Sequence, residues 1–273
     1  MPICRAVSPL YPRGTSSRSK TWKAQRGFLP GCALLCGRSP EMKSIRAICF
    51  DLDNTLWDVW PVIRRAEQQM YEFLARHYPR AVETLTIESM RDARVKVSLD
   101  FPHMAHDFTF LRRQALLEQA AAHGYPEAMA DEAFEAFMEA RNTVELYADV
   151  PAALELLAGR YRLFTASNGN ADLRRIGLAH LFERSVTARE VGALKPDAAV
   201  FHKVLEGTGL KPHQILFVGD DPEPDVEGAR RVGMVPVWIN RTRMEWPATL
   251  EPPPITIASL TELTDLLGPG ATA

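Results

Sequence analysis

Cysteine is scarce in this chain and poorly placed for a disulfide framework. Of the four cysteines, Cys4, Cys32 and Cys36 fall within residues 1–40 and only Cys49 lies beyond them. That usage argues against a disulfide-stapled secreted scaffold and predicts a reducing compartment, the cytoplasm. Cys32 and Cys36 have no matching Cys or His pair nearby, which argues against a zinc site. Cys49 sits in an apolar run and reads as a small core residue. No apolar run approaches the ~20 residues of a membrane helix, so no membrane partner is expected. A formal net charge of -2 gives no reason to expect nucleic acid as a partner.

Acidic residues are missing from one end of the chain. Residues 1–40 carry Arg5, Arg13, Arg18, Lys20, Lys23, Arg26 and Arg38 and no Asp or Glu; the remainder holds 25 basic and 34 acidic side chains. The basic stretch is rich in Ser, Gly and Pro and lacks any helical or strand period. It reads as a disordered extension over residues 1–43. The favoured explanation is a start assigned too early, the chain proper beginning at Met42. The alternative is an organelle transit peptide, which would move the protein out of the cytoplasm.

Beyond that extension the composition is that of an ordinary globular protein, 46% hydrophobic and 24% charged over the whole chain, enough for a sizeable core. Short apolar runs at 45–50, 161–166, 215–218 and 235–239, with a weaker one at 185–188, suit strands buried on both faces of a parallel sheet. Helical patterns over 151–158, 171–178, 197–205 and 226–232 alternate with them. That alternation predicts a doubly wound, Rossmann-like α/β core with right-handed crossovers. Gly233 is placed for a left-handed helix end, and Asp149 for a helix cap ahead of Pro151. Residues 62–143 break the pattern and read as helices at 62–76, 86–97, 109–123 and 128–143. The expected layout is a core of 44–58 and 147–273 with an all-helical domain, 59–146, inserted after the first strand.

Four short motifs carry the chemistry. Asp51-Leu52-Asp53-Asn54-Thr55 follows the first strand, where open α/β sheets bind ligands. Gly219-Asp220-Asp221-Pro222-Glu223-Pro224-Asp225 follows the 215–218 strand and reaches the same edge. Asp51 and Asp220, with Asp221 or Asp225, form an oxygen-rich set that suits magnesium and not zinc. Ser167-Asn168-Gly169-Asn170 offers a hydroxyl and backbone N–H groups to a phosphate. Lys195, before Pro196, offers a fixed positive charge.

In this order the four motifs resemble those of the haloacid dehalogenase (HAD) superfamily, and the helical insert resembles its C1-type cap. The resemblance spans roughly 45–246. It implies that Asp51 is the nucleophile that becomes an aspartyl phosphate and Asp53 the general acid and base. Ser167 and Lys195 would orient the phosphoryl oxygens, with Asn168, Gly169 and Asn170 beside them. Asp51, the Asp53 carbonyl, Asp220 and the supporting Asp225 would serve Mg2+. A carboxylic acid at Asp53 favours phosphate ester cleavage, because an alkoxide leaving group needs a proton and a halide does not.

The branch most resembled hydrolyses flavin mononucleotide or the phosphorylated ribitylaminouracil of riboflavin synthesis. The residues that carry this are Asp51 to Asp58, Pro61 to Arg64, His106, Asp107, Thr109 and Arg112, together with 167–170 and 219–221. It implies a small phosphorylated metabolite as partner, to a monomer or homodimer. His106 and Arg112 read as substrate-binding cap residues or, equally, as part of a solvated face with Asp107 capping the helix. Trp57 and Trp60 read as hinge packing in preference to ring stacking. A phosphosugar mutase of the same superfamily is the alternative function. A catalytically inactive binding module is a weaker one, because Asp51, Asp53 and Lys195 are all present.

Overall fold

The computed structural model describes residues 42 and 44–268. The extension expected over 1–43, with Cys4, Cys32 and Cys36, therefore lies outside the described residues, Met42 apart. Six strands form one sheet: β1 Ala47–Phe50, β2 Arg162–Ser167, β3 Arg184–Thr187, β4 Ile215–Gly219, β5 Val235–Ile239 and β6 Thr256–Ile257. The order is β3-β2-β1-β4-β5-β6 and every pairing is parallel. The chain winds outward from β1 to β3, then returns to β4 on the other side of β1. The fold is the doubly wound α/β class that alternating elements predict, and the crevice for a ligand opens between β1 and β4, where the winding reverses.

The longer helices are α1 Val59–His77, α2 Ile87–Asp100, α3 Phe108–Ala122, α4 Ala128–Arg141, α5 Val150–Ala158, α6 Ala198–Leu205 and α7 Leu260–Leu267. The two sheet faces are buried by different helices. Ile48, Phe50, Leu216 and Val218 pack with Leu154 and Leu157 of α5 and Leu260 and Leu263 of α7. Ala47, Cys49, Ile215 and Phe217 pack with Val200, Phe201 and Val204 of α6. Successive strand residues thus serve opposite faces, which is why these strands are apolar throughout. Cys49 is a fully buried core residue, and burial pushes its thiol well up.

Helices α1–α4 occupy the stretch predicted as the helical insert and have a core of their own, including Ala66, Met70, Leu74, Leu116, Ala133 and Phe137. Their starts follow local capping chemistry. Asp58 accepts from the Trp60 N–H at 2.9 Å, and Thr86 and Ser89 exchange bonds as a capping box. The two chain crossings between insert and core are stitched together. Trp57 bridges Leu146 in antiparallel fashion, and the Tyr147 N–H donates to the Leu56 carbonyl at 3.0 Å.

Several expected elements differ in detail. The 171–178 helix shrinks to the single turn Leu173–Ile176, stopped by Gly177 at φ 88°. The 226–232 helix becomes a wide turn over Pro222–Glu227 followed by Gly228–Arg231; Gly233 is left-handed as expected, at φ 81°. Strand β6 escaped the sequence reading because two residues carry no period. Pro236 lies inside β5 without breaking it. Trp238 and Asn240 send their N–H groups to Ile255 and Ile257 on the β6 side, and by the two-residue period the donor missing at Pro236 faces that side, before β6 begins.

Asp149 precedes α5 as predicted, but its carboxylate does not cap that helix. It accepts from Arg241 Nη1 and Nη2 at 2.9 and 3.0 Å and from the Leu260 N–H at 2.6 Å. Burial alone would raise its pKa, yet these bonds outweigh burial and hold the carboxyl below its ordinary value. A bidentate pair tied also to a helix start outcompetes a single cap bond. Asp149→Ala is expected to lower unfolding free energy by about 1–3 kcal/mol, and Asp149→Asn by less because it keeps an acceptor for Leu260. Urea titration with an unchanged slope measures this, and equal midpoints for all three proteins would refute it.

Candidate active site

The segments that follow β1, β2, β3 and β4 deliver the predicted motifs to one place. The Asp51 N–H donates to the Val218 carbonyl at 2.8 Å, which continues the β1–β4 ladder one residue and fixes the carboxylate at the crevice. Lys195 Nζ donates to Asp51 Oδ1 and to Asp225 Oδ1, both at 2.6 Å. All three side chains are buried. Burial opposes the charge on Lys195, but Asp225 and Asp51 outweigh it and raise the ammonium's pKa. Asp225 Oδ2 accepts from the Asp221 N–H at 3.0 Å, so both Asp225 oxygens are committed inside the protein.

Close backbone approach is what glycine supplies here. A Cβ on Gly219 would lie 2.6 Å or less from the Asp225 side chain. A Cβ on Gly169 would lie 2.5 Å from Asp53 Oδ2 and 3.3 Å from Ser167 Oγ. Neither position admits a side chain without movement.

The loop after β2 holds the lysine. Asn168 Oδ1 accepts from the Lys195 N–H at 2.7 Å, and its Nδ2 donates to the Lys195 carbonyl at 3.2 Å. Asn168 therefore positions Lys195 through its backbone. The Gly169 N–H, expected to be free, donates to Ser167 Oγ at 3.0 Å; a hydroxyl two residues back is a nearer acceptor than any ligand. Asn170 instead faces the helical insert, its Nδ2 lying 3.5 Å from Thr109 Oγ1 and 3.7 Å from Met138 Sδ.

Asp53 is half-buried and held by two groups that sequence reasoning did not assign to it. Trp57 Nε1 donates to Oδ1 at 2.9 Å. Arg141 Nη2, from the last turn of α4, reaches Oδ2 at 2.7 Å and Oδ1 at 2.9 Å. Trp57 is thus fully buried with a polar contact, while Trp60 is exposed. The only sequence signal for Arg141 was a basic residue at a helix end, which reads as a dipole partner.

The cap residues divide. Asp107 caps α3 through the Thr109 and Phe110 N–H groups and lies 3.2 Å from Arg189 Nε in the core. Arg112 is buried, not on a solvated face; its guanidinium lies 3.7 Å from the Phe137 ring centre and 3.9 Å from Glu67. His106 is half-buried in the turn before α3.

Asp51, Asp220 and Asp225 each bring one oxygen within 4.8 Å of the others. Burial, with Asp51 and Asp225 nearby, raises the Asp220 pKa well above the ordinary carboxylate range. Burial likewise pushes Asp51 from 3.8 up to about 7, Lys195 opposing and Asp225 adding to the rise. One lysine thus stands against three crowded carboxylates, and an all-oxygen set with excess negative charge fits a hard divalent cation.

The description "haloacid dehalogenase-like hydrolase" matches residues 45–233. The chain belongs to this family of hydrolases. It is 32% identical over 231 residues to "5-amino-6-(5-phospho-D-ribitylamino)uracil phosphatase YigB" of Escherichia coli, covering 82% of this chain and 96% of that protein. It is 39% identical to "Phosphoserine phosphatase" of Thermus thermophilus, over 47% of this chain and 53% of that one. Among solved structures, a 2-haloacid dehalogenase from Pseudomonas syringae superposes with a TM-score of 0.77 at 34% identity, covering 82% of this chain and 98% of that one. Among the described residues, no helix of this family member is long and apolar enough to cross a membrane.

The raised carboxyl at Asp51 has a stability consequence. Its folded pKa, about 7, exceeds the ordinary 3.8, so the folded protein holds this proton more tightly than the unfolded chain. The contribution is complete below about pH 4 and is lost as pH rises through about 7. In EDTA the Tm is expected to fall between about pH 5 and pH 8, and Asp51→Asn to flatten that fall. A metal-free Tm that rises over this window would overturn the assignment.

Proposed function

We propose that this hydrolase is a magnesium-dependent phosphomonoesterase that works through an aspartyl phosphate on Asp51. The observation that carries the reading is a second carboxylic acid, Asp53, two residues from the lysine-held Asp51 and fixed by Trp57 and Arg141. A halide leaves without a proton, whereas an alkoxide needs one, and Asp53 is the group in place to give it. The likeness to a structure named as a dehalogenase therefore bears on the fold, while the relatives named as phosphatases bear on the reaction.

Each residue has its own share of the work. Lys195 holds Asp51 Oδ1, leaving Oδ2 to attack phosphorus in line with the ester bond. As the P–O bond breaks, Asp53 gives its proton to the departing alcohol. The Asp53 carboxylate then takes a proton from water, whose oxygen attacks the aspartyl phosphate and releases inorganic phosphate and free Asp51. Asp51, the Asp53 carbonyl and Asp220 would hold magnesium, which neutralises phosphoryl charge when bound. Asp225 secures Lys195, and Ser167 stands beside the phosphoryl site. Helices α1–α4, as a cap domain over 59–146, would exclude water and carry the residues that choose the substrate; His106 and Arg112 are assigned there.

The substrate is a small phosphorylated metabolite. The extent of the likeness to the YigB phosphatase supports phosphorylated ribitylaminouracil ahead of flavin mononucleotide. Phosphate release from both, and from sugar phosphates and nucleotides, is expected to need magnesium and to stop with EDTA. Asp51→Asn should fall to background, and Asp53→Asn should lower kcat on alkyl phosphates by about 10²–10⁴-fold. Activity that survives Asp51→Asn sinks the covalent mechanism. Turnover that requires an added bisphosphate points instead to a mutase.

A further inference from the structure

Arg141 is more deeply buried than Asp53, the acid it holds. Its side chain is 1% exposed against 22% for Asp53. Only Nη2 is used, on the two Asp53 oxygens. Nε and Nη1 are buried with no hydrogen-bond partner among the described residues. An ionised donor left unpaired in the interior costs free energy, more than a neutral one would, so two such atoms on one guanidinium ask for an acceptor.

Service to its own helix does not explain the residue. At the α4 end, Arg65 Nη2 donates to the Ala140 carbonyl at 3.4 Å and to that of Thr143. The Asn142 N–H and Nδ2 both donate to the Met138 carbonyl, at 3.1 and 2.8 Å. Other groups thus satisfy the last carbonyls, and the Arg141 side chain crosses to the core instead. There its Nη2 stands 3.2 Å from where a Gly169 Cβ would be, a point also 2.5 Å from Asp53 Oδ2 and 3.3 Å from Ser167 Oγ.

Resting on the phosphatase reading, we infer that Arg141 is a specificity residue that reads the leaving group. One of its two unpaired donors, Nε or Nη1, takes an oxygen of the alcohol portion adjacent to the phosphate ester. The leaving oxygen must come within hydrogen-bond distance of Asp53 to receive its proton. The three nitrogens of a guanidinium share one small plane, so a hydroxyl on the next carbon arrives beside donors that nothing among the described residues uses. The preferred class is therefore the phosphorylated polyol with a vicinal hydroxyl, in preference to a simple alkyl phosphate. No bond changes order in this contact; Arg141 keeps its charge and Asp53 remains the proton donor.

The test compares glycerol 1-phosphate with propyl phosphate, two esters of similar leaving group that differ in hydroxyls. Wild type, Arg141→Lys and Arg141→Met are assayed with magnesium, kcat and KM being read separately and folding checked by thermal melting. Wild type is expected to favour glycerol 1-phosphate by about 10–100-fold in kcat/KM, the range for a hydrogen bond to a charged donor. Arg141→Lys, which keeps a charge for Asp53 but not the planar fork, should turn over propyl phosphate while losing that preference, chiefly through KM. Arg141→Met should lose the preference and lower kcat on both esters. Equal turnover of the two esters by wild type, or a preference that survives Arg141→Lys, overturns the inference and leaves the phosphatase reading standing. Absence of phosphate release from any ester by well-folded wild type removes that reading, and this inference with it.

Discussion

A lysine ammonium withdrawn from water is tolerated only where other groups replace its hydration, and the interior of this protein is arranged around that requirement. Lys195 donates to Asp51 from one side and Asp225 from the other. Each carboxylate is in turn fixed by backbone: Asp51 by the β1–β4 ladder, Asp225 by the Asp221 N–H. Removing Lys195 would leave Asp51 and Asp225 crowded inside without an opposing charge, which is far more costly than losing a surface pair. The triad therefore constrains four loops at once, because Asn168 grips the Lys195 backbone from the loop after β2. Excess negative charge remains, with Asp220 beside the triad, and that surplus turns a structural knot into a site able to take a cation.

The sheet makes this convergence possible. Parallel strands wound outward in two directions from β1 leave their C-terminal loops on one edge, with a gap where the direction reverses. Burial of both faces, by α5 and α7 on one side and α6 on the other, holds the strand ends at fixed spacing. Rigid strands place the acidic side chains, and the helices α1–α4 bring Arg141 to Asp53. Contact across the two parts joins apolar packing of Val62 against the sheet core with polar bonds: Arg141 to Asp53, Arg189 to Asp107, and Asn142 Oδ1 accepting from the Asp172 N–H at 2.7 Å.

Much of this was legible in the chain, for physical reasons that differ between elements. Strands buried on two faces must be apolar at every position, so the runs at 215–218 and 235–239 announced themselves. The insert's helices carry a helical period and capping residues such as Thr86 and Asp107, so their existence and approximate limits could be read. The four motifs were legible because short clusters of carboxylates, a serine and a lysine stand out in the loops that follow apolar strands. Elements without a period were not legible: β6 is two residues long, and the turn at Pro222–Glu227 follows from local packing.

What tertiary structure alone decided is which distant groups meet. Arg141 and Asp53 are 88 positions apart, and Asp149 reaches Arg241 92 positions away. The sequence reading gave Asp149 a helix cap and gave Arg141 no role. A side chain's strongest partner is chosen by proximity in the folded chain, where a charged, bidentate bond outcompetes the local one. The sequence by itself determined five of the six strands, their alternation with helices and the acidic motifs, because those depend on periodicity and residue type. The guanidinium that reaches the acid at Asp53 depends on how the helical insert folds back over the core, and no local pattern encodes that contact.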